Sequence, residues 1–185
     1  MPKFAKNLWS LLSQQNAQSY KLIERLNLAI AFCEEVKKVH DGNSAHRDIK
    51  PSNCMLDNQG HVILIDFGIG RTQGTLDGSS GTAGFLPPEQ FACRGQTQKA
   101  DNFAVGKVLA LTIFEWRFGW QLLWSPEFVT QNYIDSLGPL AQIITLIKEL
   151  TQVRNGYRRR PFLHLKKQKS WKKELIQKTS LCCLK

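Results

Sequence analysis

A mainly α-helical domain carrying one small β-hairpin is the fold class this chain predicts, and three stretches predict it. Leu22, Ile23, Leu26, Ala29, Ile30, Cys33, Val36 and Val39 recur at helical spacing and mark one long amphipathic helix. Residues 108–120 are apolar nearly all round, the pattern of a helix buried in the middle of a domain. Between these two, Cys54-Met55-Leu56 and His61-Val62-Ile63-Leu64-Ile65 are short apolar runs joined by Asp57-Asn58-Gln59-Gly60, whose turn chemistry predicts a hairpin.

The remaining elements follow in chain order. Leu8, Leu11 and Leu12 fit a short helix ahead of the long one. Residues 68–81 are rich in Gly, Ser and Thr, too poor in apolar side chains to pack as a regular element. Gly68, Gly70 and Gly74 follow a strand without a helical pattern behind them, which argues against a dinucleotide or P-loop phosphate site.

Composition sets the class. At 185 residues, 42% apolar and 22% charged, the chain has the make-up of one ordinary globular domain rather than a disordered polymer. No run approaches the ~20 apolar residues of a membrane span, and no signal-peptide succession opens the sequence. The five cysteines show no Cys-x-x-Cys pair, so neither a disulfide framework nor a zinc site is expected. A soluble, cytoplasmic protein is the expectation. Charge is uneven: residues 1–147 carry 13 basic and 13 acidic side chains, residues 148–185 carry 12 and 2. The tail 166–185, with Lys166-Lys167-Gln168-Lys169 and Trp171-Lys172-Lys173, is suited to an acidic surface.

The chemistry concentrates in His46–Asn53, reading HRDIKPSN, and in Asp66-Phe67-Gly68, thirteen positions beyond Asn53. Transfer of a phosphoryl group to a hydroxyl needs a carboxylate that is not consumed on a metal, and Asp48 fits. It needs hard oxygen ligands for a divalent cation, and Asn53 and Asp66 supply them. It also needs a cation near the phosphate oxygens. Lys50, two residues from Asp48 on the same side of an extended segment, is the mobile point charge for that task. The hairpin would carry both metal ligands, one entering its first strand and one leaving its second.

With these motifs the chain resembles the eukaryotic-type protein kinase family. The resemblance continues through Gly81-Thr82-Ala83-Gly84-Phe85-Leu86-Pro87-Pro88-Glu89, similar to the end of an activation segment, and Asp101-Asn102-Phe103-Ala104-Val105-Gly106, similar to the start of the family's central helix. It implies ATP and Mg²⁺ as cofactors and a protein substrate. Asp48 would be the catalytic base, Lys50 the phosphate contact, Asn53 and Asp66 the metal ligands, and Met55 the floor under the adenine. The Thr82 segment implies serine/threonine specificity. Asp101 would accept backbone N–H groups of the catalytic loop, and Arg160, with Arg158 and Arg159 as rival candidates, would pair with Glu89. Arg47 would meet a phosphate on Thr72, Thr75, Ser79 or Ser80.

The resemblance also divides the chain. Residues 1–165 are similar to a kinase C-lobe from the hinge onward, lacking the N-terminal β lobe, and 166–185 form the basic tail. The Gly-rich loop, the strand lysine and its helix glutamate have no counterpart here. The expectation is therefore a truncated serine/threonine kinase, completed by a partner that supplies the N-lobe; the alternative is a non-catalytic fragment that docks a protein partner through its cleft face.

Overall fold

The computed structural model describes residues 6–13, 20–67, 84–88, 98–114, 119, 130–138 and 140–152. Strand β1 (Lys6–Asn7) leads directly into helix α1 (Leu8–Leu12), followed by the long helix α2 (Leu22–Asp41). A 3₁₀ turn (Pro51–Asn53) opens the hairpin of β2 (Cys54–Leu56) and β3 (Val62–Leu64). Helix α3 (Gln98–Ile113) and the pair α4 (Gln131–Ser136) and α5 (Leu140–Leu150) complete the described elements. The result is mostly helical with one small antiparallel sheet, as the patterning predicts.

The sheet differs from the predicted two-stranded hairpin. Its order is β1-β2-β3, with Lys6 opposite Leu56 and Asn7 opposite Met55. Two residues cannot display a period of two, so β1 has no signature of its own; its partner β2 defines it. The β2–β3 turn is held by one side chain. Asp57 Oδ1 accepts the N–H groups of Gln59 and His61, both at 2.8 Å, while Gly60 takes a φ of +83°, a conformation glycine adopts without steric cost.

Helix α1 is capped by Asn7, whose side chain accepts the N–H of Ser10 at 2.8 Å. It buries Leu8, Leu11 and Leu12, the three residues of its predicted stripe. Helix α2 buries Ala29, Phe32, Cys33 and Val36 together with Arg25. Arg25 Nε donates to the carbonyl of Tyr20 at 3.2 Å, at the entry to the helix, so its buried head keeps a hydrogen-bond acceptor.

Helix α3 is the hub. Every residue from Ala100 to Ile113 is buried, and both α2 and α5 pack against it. The approach of α5 depends on Gly106: a Cβ there would stand 2.8 Å from Thr151 Cγ2 and 2.9 Å from Leu150 Cβ. Helix α5 meets it with Ile143, Ile144, Leu146, Ile147 and Leu150. Among the described residues no helix is long and apolar enough to cross a membrane.

Candidate active site

The loop between α2 and β2 carries most of the predicted site. Asp48 Oδ2 accepts from Lys50 Nζ at 2.8 Å and from Asn53 Nδ2 at 3.0 Å. Asn53 Nδ2 also donates to the backbone carbonyl of Asp48 at 3.0 Å. That double contact turns the amide nitrogen toward Asp48 and leaves Oδ1 of Asn53 directed elsewhere. Lys50 reaches Asp48 because its backbone is extended, φ −157° and ψ 160°, which puts residues i and i+2 on one side. The two side chains are 22% and 21% exposed, so the pair opens to solvent.

Asp66 joins this group through the hairpin. The N–H of Ile65 donates to the carbonyl of Asn53 at 2.9 Å, so the residue before Asp66 is fastened to the other predicted metal ligand. Asp66 has a φ of 53°, a left-handed conformation uncommon for a residue with a Cβ. It is exposed.

Met55 stands apart from these four, at the centre of β2. Cys54 and Leu56 point into the core while Met55 and its cross-strand partner Ile63 are half-buried on the other face. A thioether beside a β-branched side chain makes a flat apolar surface of the sort an aromatic ring covers.

His46 ties the two halves of the site together. Its ring is buried, with Nδ1 accepting the N–H of Asp48 at 3.3 Å and Nε2 donating to the carbonyl of Ile65 at 3.0 Å. One tautomer, protonated on Nε2, satisfies both bonds. The His46 ring also lies 4.7 Å from that of Phe67.

Behind the loop stands α3. Asp101 Oδ2 accepts the N–H of His46 at 2.7 Å and Oδ1 the N–H of Arg47 at 2.8 Å, the contacts the resemblance implies. A third partner is not legible in the sequence: His40 Nε2 meets Asp101 Oδ2 at 2.9 Å, sixty-one positions away. Nothing about an isolated histidine near the end of an amphipathic helix signals that contact.

The donor set fits Mg²⁺. Asp66 and Asn53 offer hard oxygens, and among the described residues the Asp66 carboxylate has no hydrogen-bond or ion-pair partner. No group of three or more His, Cys, Asp or Glu side chains suited to a metal occurs among them either. A site with one carboxylate and one amide is what Mg²⁺ takes when nucleotide phosphates and water complete its octahedron.

A family model described as the protein kinase domain matches residues 4–177 of this chain. The chain belongs to the protein kinase family. Curated relatives agree. The probable serine/threonine-protein kinase PknB of Corynebacterium glutamicum is 37% identical over 94 residues, 47% of this chain and 15% of that protein. The cGMP-dependent protein kinase of Toxoplasma gondii is 39% identical over 100 residues, 54% of this chain and 9% of that protein. Cysteine-rich receptor-like protein kinase 42 of Arabidopsis thaliana is 37% identical over 113 residues, 56% of this chain and 17% of that protein. In each case the match spans less than a fifth of the relative.

Several residues expected from the kinase resemblance lie outside the described residues: Gly68, Thr72, Thr75, Ser79, Ser80, Thr82, Glu89, Arg160 and the basic tail 166–185. Within residues 84–88, similar to the end of an activation segment, Phe85, Leu86 and Pro87 are buried. Phe85 and Leu86 line a small indentation shared with Arg47, Asp48 and Asp101.

Proposed function

We propose that this chain is the catalytic-loop half of a serine/threonine protein kinase, transferring the γ-phosphate of Mg·ATP to hydroxyls of protein substrates. The three-way contact of Asp48 with Lys50 and Asn53 carries the reading. It puts a base, a cation and a metal ligand within one hydrogen-bonded unit, which a solvated surface turn has no reason to assemble. Both contacts fall on Oδ2 of Asp48, so Oδ1 is the oxygen that orients the substrate hydroxyl and takes its proton.

Asn53 and Asp66 would hold Mg²⁺, whose chemistry when bound is to neutralise charge on the phosphoryl oxygens. Lys50 exchanges its ion pair with Asp48 for the γ-phosphate when nucleotide arrives. Met55 and Ile63 take the adenine face. Serine/threonine specificity is supported by two relatives, the probable serine/threonine-protein kinases of C. glutamicum and of Bifidobacterium longum. Among the described residues Cys33 and Cys54 are free thiols, the state that a reducing, cytoplasmic compartment maintains.

A second reading has its own observation. Phe67 beside the site is 53% exposed and Trp9 is 40% exposed, apolar surface suited to contact with another protein. On this reading the cleft face is a docking module, or receives an N-lobe equivalent from elsewhere.

A thermal melt with and without Mg·ATP, using Asp66→Ala as control, separates the two. Saturation at about a hundredfold over Kd adds about 2.7 kcal/mol of stability. A rise confined to the unmutated chain supports a nucleotide site. A melt indifferent to Mg·ATP would mean that this chain needs an N-lobe equivalent to bind nucleotide or serves only as a docking module.

A further inference from the structure

The first turn of α3 presents two polar side chains on one face, since Gln98 and Asp101 are three residues apart. Asp101 is the carboxylate already described beneath the loop. Gln98 does the opposite job as a donor. Its Nε2 bonds the carbonyl of His40 at 2.9 Å and that of Ser44 at 3.2 Å, fifty-eight and fifty-four positions away.

What lies between these grip points is informative. Asn43, flanked by the two carbonyls that Gln98 holds, has a φ of 54°. Arg47, one of the two residues whose N–H Asp101 holds, has a φ of 73°. Left-handed residues other than glycine persist when surrounding contacts over-determine them. Each half of the pair therefore grips a stretch of chain around one left-handed residue, and together they fix the path from the end of α2 to Asp48. His40 closes the unit, its carbonyl on Gln98 and its ring on Asp101.

We propose that Gln98 is a positioning residue for the catalytic loop, the donor half of a two-point clamp whose acceptor half is Asp101. The chemistry requires a donor at this position, and neither its charge nor its apolar area matters. The inference rests on the kinase reading only for its catalytic consequence; the clamp itself is a statement about the backbone.

The test uses the full chain in three forms: unmutated, Gln98→Glu and Gln98→Lys. Glutamate keeps the shape but cannot donate, whereas lysine restores a donor. Two measurements are made, amide hydrogen exchange at Ser44, His46 and Arg47, and phosphate transfer from labelled ATP to casein as a mixed serine/threonine acceptor. Gln98→Glu is expected to speed exchange at these amides by roughly tenfold and to lower kcat by roughly tenfold, with the KM for ATP unchanged. Amides within α3 keep their protection, and Gln98→Lys returns both quantities to within about twofold of the unmutated chain.

Unchanged exchange in Gln98→Glu overturns the clamp. Faster exchange with an unchanged kcat overturns the positioning role. Failure of lysine to rescue overturns the requirement for a donor. If the unmutated chain by itself transfers no phosphate, the catalytic half of the inference is overturned for this chain alone, and exchange decides whether the clamp exists.

Discussion

Helix α3 and the loop His46–Asn53 touch at the site, yet they are built on opposite terms. From Ala100 to Ile113 the helix is buried without interruption, and the side chains it offers to the loop, Gln98 and Asp101, sit in its first turn. The loop keeps Asp48 and Lys50 about a fifth exposed, holds Arg47 in a left-handed conformation, and carries three of the four side chains proposed for chemistry. Burial supplies position and partial exposure supplies reactivity. Substitutions in the two regions should accordingly separate, one class moving stability and the other moving rate.

The largest separation is expected at Asp48. Asp48→Ala should lower phosphoryl transfer by about a thousandfold, while the urea midpoint moves by no more than about 0.5 kcal/mol equivalent. Parallel kinetics and unfolding curves check this. A large loss of stability would mean that the loop shares the structural role of the helix.

Asp101→Ala is the converse case. It leaves the N–H groups of His46 and Arg47 and the ring of His40 without their acceptor. Unsatisfied buried donors put the cost at about 3 kcal/mol, read from the same unfolding curves. Rate then falls because the loop loses its anchor, although Asp101 touches no substrate.

Lys107 tests what a charge costs in the buried middle of α3. It is buried, with Nζ 5.3 Å from the centre of the Phe103 ring. Burial pushes its ammonium down from 10.5 to about 8. Because the unfolded chain then binds more protons, stability rises with pH between about 8 and 10.5. Below that window the folded state carries the cost of the buried charge. Lys107→Met should raise stability at pH 7 by about 2 kcal/mol and abolish the rise. Unfolding measured from pH 7 to 10.5 decides it.

The smallest effect is expected at the helix contact. Gly106→Ala sets a methyl group against Thr151 and Leu150 and should cost about 1 to 2 kcal/mol, with kcat unchanged. A change in kcat without a change in stability would show that α5 communicates with the loop.

The same division decides what the sequence reveals. Stripes such as Leu8, Leu11 and Leu12 can be read because burial imposes helical spacing on neighbouring residues. The hairpin can be read because its turn and β-branched strands are local. Asp48, Lys50, Asn53 and Asp66 can be picked out because phosphoryl transfer constrains residue type and spacing together. Residues held by distant partners are silent. Gln98 and His40 look like ordinary helix-end residues until the fold brings them within 2.9 Å. Arg25 carries no signal of burial in the sequence, yet it is buried and its Nε donates to the carbonyl of Tyr20. The stripe of α5 carries no chemistry, so a reading led by motifs passes over it.

Cys33 and Cys54 end the comparison on the silent side. Both thiols are buried, and burial pushes Cys33 up to about 12 and Cys54 higher still. Thiolate is the species that alkylating reagents attack, so neither sulfur reacts while the fold is closed. One sits on α2 and the other begins β2, immediately after Asn53. Their labelling rates would therefore act as two separate clocks, one timing the opening of the long helix and the other the opening of the hairpin that carries the proposed metal ligands.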